Sequence, residues 1–308
     1  MTYFEADLSG LDGGAWLGRL EDITEEFGRF EPLGPDHSSA YLEGGDQLLV
    51  SFESRADVVK TLKREPLGVT YRRRNGWSTL TILSDKQSWF RHRAIYQHFD
   101  QLADDGFFEL FDTVTFIGEG PGGYAAAAYS AAAPGATVVA IRPQATLDPR
   151  IAGWDDRFRK QRRTGFSGRY GYAPDLIEAA GHALVAFDPH QRRDAMHAAL
   201  FIRPNVTLLR CPFNRLRLRE DLDGMGLLDP LLEAAIAGRL TERVFWELYR
   251  KRRTHLPYLR GLVILLERRG RGDLAARVCR FAMKELPHPF FARRLAKRQT
   301  TRPLKRQM

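Results

Sequence analysis

A chain of 308 residues, 44% of them hydrophobic, is long enough to bury one large core or two modest ones, which excludes a disordered or fibrous class. No run of 18 apolar residues occurs, and the opening MTYFEADLSGLDGG is neither basic nor followed by an apolar core, so neither a spanning helix nor a secretory leader is expected and the chain reads as cytoplasmic. The net charge of +9 is uneven: from Leu231 onward there are 20 Lys and Arg against 6 Asp and Glu, and before it 27 against 32, so the positive charge belongs to the C-terminal region.

Trp16 to Phe30 places Trp16, Leu17, Leu20, Ile23 and Phe27 at steps of three and four, an amphipathic helix within a helical and hairpin lead-in over residues 1–45. Gln47 to Phe52 (QLLVSF) and Thr79 to Leu83 (TLTIL) read as strands around a basic loop with Arg72, Arg73 and Arg74, and Trp89 to Leu102 as a helix ending before Asp105-Gly106. Then come TVTFI (Thr113 to Ile117), the turn Gly118-Glu119-Gly120-Pro121-Gly122-Gly123, an alanine-rich helix from Tyr124 to Ala133, and the strand ATVVAI (Ala136 to Ile141). Ile151 to Pro174 lacks periodicity and is dense in charge and aromatics, which suits a lid over the sheet edge or a surface excursion. Leu184 to Phe187 and Val206 to Leu209 supply two more strands, with a helix from about Asp194 to Phe201 between them.

From Asp229 the pattern is helical only, with segments Leu231 to Ala237, Glu242 to Arg253, Pro257 to Glu267 and Leu274 to Leu286. The expected fold class is α/β, a doubly wound, mostly parallel sheet of α/β-hydrolase type over residues 46–228, followed by an all-helical basic region over residues 229–308. Cys211 and Cys279 form no CxxC pair, so neither a metal site nor a redox pair is signalled.

The glycine-rich turn fits two chemistries. Gly118, Gly120 and Gly123 match Gly-x-Gly-x-x-Gly, which brings backbone close to a pyrophosphate at a helix N-terminus. Gly118 and Gly122 equally match the flanks of a nucleophile elbow, Gly-x-Ser-x-Gly, in which the serine position is Gly120. Ile117 to Ala128 (IGEGPGGYAAAA) resembles the flavin fingerprint of lipoamide-dehydrogenase-like disulfide reductases. That resemblance stops there: the second strand ends in Arg142-Pro143-Gln144 rather than an acid, although an arginine there suits a 2'-phosphate, and the fingerprint follows some 110 residues of chain.

The stretch from Asp46 to Pro212 resembles an uncharacterised group of bacterial α/β-hydrolase-like proteins. The likeness is carried by LLVSFE (Leu48 to Glu53), PGGYAAAAYS (Pro121 to Ser130), PQATLDPR (Pro143 to Arg150), WDDRF (Trp154 to Phe158), RYGYAPD (Arg169 to Asp175) and DPHQRRDAMHAALF (Asp188 to Phe201). Some members carry the label phosphoadenosine phosphosulfate reductase, which the missing SGGKDS-type loop and C-terminal cysteine motif do not support here.

Hydrolysis needs a nucleophile, a histidine base held by an acid, and an oxyanion hole. Gly120 offers no side chain, Pro121 no N–H, and Cys211-Pro212-Phe213-Asn214-Arg215 no histidine. Asp188 and Asp194 stand where the acid belongs, and His190 and His197 lie near; Asp194 also suits a helix N-cap. Ser54 and Cys211 lie at strand ends without an assigned base, and Ser130 is too far along the helix. The expected function is a binding or scaffold module that has lost the Ser-His machinery, with no cofactor and an unknown ligand at the elbow. The alternatives are an esterase or acyltransferase with rearranged residues acting on a glycan or lipid, and a nucleotide or flavin protein. The basic helices suit an anionic partner, nucleic acid or a membrane surface.

Overall fold

The structure, a computed structural model, describes residue 4, residues 6–214 and residues 218–301. Eight strands form one sheet: β1 (Gly28–Pro32), β2 (His37–Leu42), β3 (Gly45–Ser54), β4 (Trp77–Ser84), β5 (Thr113–Glu119), β6 (Thr137–Ile141), β7 (His182–Phe187) and β8 (Val206–Arg210). Their order is β1-β2-β4-β3-β5-β6-β7-β8; β2 runs antiparallel to β1 and β4, and every pairing from β4 to β8 is parallel. This is the doubly wound, mostly parallel sheet of the α/β-hydrolase type, followed by helices only.

Each face of the sheet meets its own core because side chains alternate along a strand. Leu48, Val50 and Phe52 of β3 point to one face, where they pack with the helix Pro121–Tyr129. On the other face Leu42 and Leu83 pack against Trp16, Leu20 and Ile23 of the helix Gly13–Phe27. Tyr124, Tyr129 and the four alanines between them are all buried, so this helix is apolar all round and its small side chains let it lie close to the strands. β5 lies between β3 and β6, which puts its carboxyl end in the middle of the sheet.

Two compact units partition the chain: Met1–Arg210 with Leu232–Leu240, and Cys211–Leu231 with Thr241–Met308. The division read from sequence lies elsewhere. Residues 1–45 supply β1 and β2 to the same sheet, and helices begin at Leu218 rather than at residue 229. The second unit includes helices Leu256–Arg268, Gly272–Glu285 and Pro289–Thr301, with Leu259, Val263, Cys279, Ala282 and Phe291 in its core. Both cysteines are free and buried. Among the described residues no helix is long and apolar enough to cross a membrane.

Candidate functional site

β5 ends at Glu119, and Gly120 turns the chain with φ 55° and ψ −116° into the helix beginning at Pro121. The glycines around this bend are there for different reasons. A Cβ on Gly118 would fall 2.2 Å from the backbone of Gly122, and one on Gly122 would fall 2.3 Å from the Phe52 carbonyl oxygen, so strand and helix approach too closely for any side chain. At Gly120 the constraint is the positive φ, and a Cβ there would meet no atom within 4 Å. Tight flanks around a strained central residue facing open space are the geometry of a nucleophile elbow. The bend at Gly120 has that shape. Its central residue has no side chain, and Pro121 at the first helical position withholds the N–H that would serve as an oxyanion donor. Gly123 is looser, with its built Cβ 3.0 Å from the Ile141 carbonyl oxygen.

The loop after β7 holds Asp188, fully buried, whose Oδ1 accepts from the His190 N–H at 2.9 Å. Asp194 lies in the first turn of the helix Arg192–Leu200, whose N-cap is Gln191, and is buried in a charge network instead of capping. Its Oδ1 accepts from Arg157 at 2.6 Å, and its Oδ2 lies 3.6 Å from Arg142. Arg142, just past β6 with φ 47°, also donates to Glu119 in the elbow at 3.0 Å. The arginine that suited a ribose phosphate is therefore engaged by two carboxylates of its own chain.

Arg157 bridges to Asp155, donating from Nη2 to Oδ2 at 2.7 Å, and the same oxygen receives His197 Nε2 at 3.0 Å. The histidine tautomer follows from its other nitrogen: Nδ1 accepts from the Ala145 N–H at 3.1 Å, so the ring proton is on Nε2 and is donated to Asp155. Burial lowers the His197 pKa despite the carboxylate. Burial alone would raise Asp155, but the hydrogen bonds from His197 and Arg157 outweigh it and hold the carboxyl well below the usual range. With both ring nitrogens engaged, His197 acts as a brace between the covering segment and the helix Arg192–Leu200. Trp154 packs on its ring with centroids 4.5 Å apart.

The segment from 151 to 174 is a packed cover. Phe166, Tyr170 and Ala173 are buried in the core, Arg91 donates to the Gly165 and Arg169 carbonyl oxygens at 3.0 and 2.6 Å, and the Tyr124 hydroxyl donates to the Tyr170 carbonyl oxygen. Of the other nucleophiles weighed, Ser130 is buried and donates to the Ala127 carbonyl oxygen at 2.9 Å, Cys211 is buried, and Ser54 ends β3.

One pair was not foreseen. Ser88 Oγ lies 2.6 Å from His37 Nε2 and 3.0 Å from Ser84 Oγ, and accepts from the Phe90 N–H at 3.1 Å. Ser88 sits on the loop after β4, at the carboxyl edge of the parallel strands where ligands of open α/β sheets bind. β4 is two strands from β5, so about 10 Å separates the strand ends. Among the described residues no group of three or more His, Cys, Asp or Glu is placed to hold a metal ion.

No family model and no curated protein matches the chain. Solved structures similar to it include an esterase of Pyrobaculum calidifontis, at 14% identity and TM-score 0.41 over 73% of this chain and 93% of that one. MPT51 (FbpC1) of Mycobacterium tuberculosis is similar at 14% identity and TM-score 0.39, over 66% and 95%. The capsule O-acetyltransferase of Neisseria meningitidis serogroup A is similar at 11% identity and TM-score 0.37, over 62% and 92%. At such values no activity passes from them to this chain.

Proposed function

We propose that this chain is an α/β-hydrolase-fold binding or scaffold module, cytoplasmic, that takes a ligand at the carboxyl end of its sheet and does not hydrolyse it. The observation that carries this reading is Gly120, which keeps the nucleophile's backbone conformation and the open space before it but has no atom to attack with. Pro121 removes one oxyanion donor, and both nitrogens of His197 are committed. A ligand at this edge would be held by shape and hydrogen bonding and would leave unchanged. Purified protein should hydrolyse p-nitrophenyl acetate and longer p-nitrophenyl esters at the rate of buffer; enzyme-dependent turnover that survives gel filtration would overturn the reading.

A second reading, an esterase or acyltransferase with rearranged residues, is favoured by Ser88 and His37. A serine within hydrogen-bond reach of a histidine is the minimal nucleophile and base. Two features weigh against it. His37 Nδ1 is buried without a hydrogen-bond partner, so no carboxylate orients the ring, and burial pulls its pKa down to about 4, well below that of an efficient base. Loss of any ester turnover in Ser88→Ala would establish this second reading.

For the basic helices, charge alone suits an anionic partner, either nucleic acid or a membrane surface, and a groove in that unit narrows the choice.

A further inference from the structure

The helices Leu256–Arg268 and Gly272–Glu285 pack on each other through a connection of only three residues, an antiparallel helical hairpin. Such a hairpin needs one apolar stripe per helix for its core, and Val263, Ala275, Cys279 and Ala282 supply it. This hairpin has a second apolar face. Leu262, Leu274 and Phe281, together with Leu266 and Val278, which also pack against that core, line an open groove of about 640 Å³, and Leu274 and Phe281 remain 39% and 43% exposed. Large apolar side chains left together in a groove mark a surface that another molecule covers.

The rim is cationic. Arg252, Arg253 and Arg277 border the groove, and no acidic side chain lines it. Arg252 is held by donation to the Tyr249 carbonyl oxygen at 2.7 Å and by the rings of Tyr249 and Tyr258. Arg253 and Arg277 are exposed, and neither has a carboxylate partner among the described residues.

We propose that this groove docks an acidic amphipathic helix of a partner protein. The lining stripe on one helix runs from Leu259 to Leu266 and that on the other from Leu274 to Phe281, each about 10 Å or two helical turns long. A partner helix presenting apolar residues at i, i+3, i+4 and i+7 covers that same length and seats in the groove between these two antiparallel helices. Carboxylates flanking its apolar stripe meet the arginines of the rim. A recessed groove between helices suits an inserted helix better than the flat surface of a bilayer or a DNA backbone, which ask for cations spread over a face. The proposal is independent of the elbow, so its failure leaves that reading untouched.

The test uses the full chain and a fluorescent alanine-based peptide of about five turns, long enough to populate helix, with leucine at the four anchor positions and glutamate only at the positions flanking them. Its twin carries lysine for every glutamate; vesicles of phosphatidylglycerol and random-sequence duplex DNA are the other probes. The glutamate peptide should bind and its twin should not. Phe281→Asp should weaken binding by about tenfold or more. Arg253→Glu with Arg277→Glu, both at exposed positions, should reverse the preference toward the lysine peptide, which keeps the test valid should Phe281→Asp fail to fold. Equal binding of both peptides, indifference to these substitutions, or binding of vesicles or DNA without binding of the glutamate peptide would each overturn it.

Discussion

Gly118 and Gly120 are two residues apart, and a methyl group on each would do different things. Gly118→Ala drives a Cβ to 2.2 Å from the Gly122 backbone, so strand and helix must separate, with a loss of about 1–3 kcal/mol or more. Gly120→Ser meets no atom and pays only for its positive φ, about 1–3 kcal/mol. That variant should fold, by circular dichroism and urea titration, and should still not hydrolyse p-nitrophenyl acetate. His197, with both ring nitrogens engaged, is not free to take the serine proton, and the donor missing at Pro121 is by itself a deficit of about 2.7–4 kcal/mol in transition-state stabilisation. Activity from that single substitution would mean that another side chain serves as base.

Arg157 lies between two buried carboxylates, Asp155 and Asp194. Arg157→Leu leaves both without their main cation and should cost about 3–5 kcal/mol in urea denaturation at neutral pH. The buried histidines predict how stability depends on acid. His37 is neutral in the folded protein with a pKa near 4, whereas the unfolded chain takes up the proton below 6.5. Stability should therefore fall as pH drops from 6.5 to 4, by at most about 1.4 kcal/mol per pH unit for one histidine. His197 shifts in the same direction, and Asp155, whose pKa is depressed, adds a further loss below its unfolded value of 3.8. His37→Gln should flatten the upper part of that limb in denaturation measured across pH, and an unchanged slope would contradict the assignment.

Among the elements, the parallel strands were the most legible in sequence because each is a short run of β-branched and aliphatic residues, buried on both faces in the middle of the sheet and half-buried at the edge strand β8. The tight turn from β5 into the helix at Pro121 was legible because strand and helix approach too closely at Gly118 and Gly122 for any side chain. The helix expected from Trp89 begins at Arg93, since Trp89 and Phe90 both take positive φ. Tertiary bonds hold them there: Trp89 Nε1 donates to Gln144, and the Tyr129 hydroxyl to the Phe90 carbonyl oxygen. Local propensity does not see such partners. For the same reason Asp155 with His197, and Ser88 with His37, were out of reach of spacing arguments, being 42 and 51 residues apart. The cover over 151–174 depends on one hydroxyl: Tyr124→Phe removes the bonds to the Tyr170 carbonyl oxygen and to Arg91. It should cost about 1 kcal/mol and speed tryptic cleavage after Arg162, Arg163 and Arg169, read by limited proteolysis and mass spectrometry.

Over the whole molecule, the chemistry and the charge belong to different stretches of chain. The sheet unit carries the elbow and its buried ion network, whereas the residues from Leu231 onward carry 20 cations against 6 anions. The proposed reading, ligand binding by the first and partner docking by the second without catalysis, depends mainly on the bend at Gly120, because an active nucleophile there or nearby would make the protein an enzyme. The most direct test is intact-mass measurement after exposure to a fluorophosphonate, which adds its phosphonyl group to an activated serine. The mass is predicted to stay unchanged at neutral pH; a single adduct mapped to Ser88 and lost in His37→Ala would contradict the absence of catalysis.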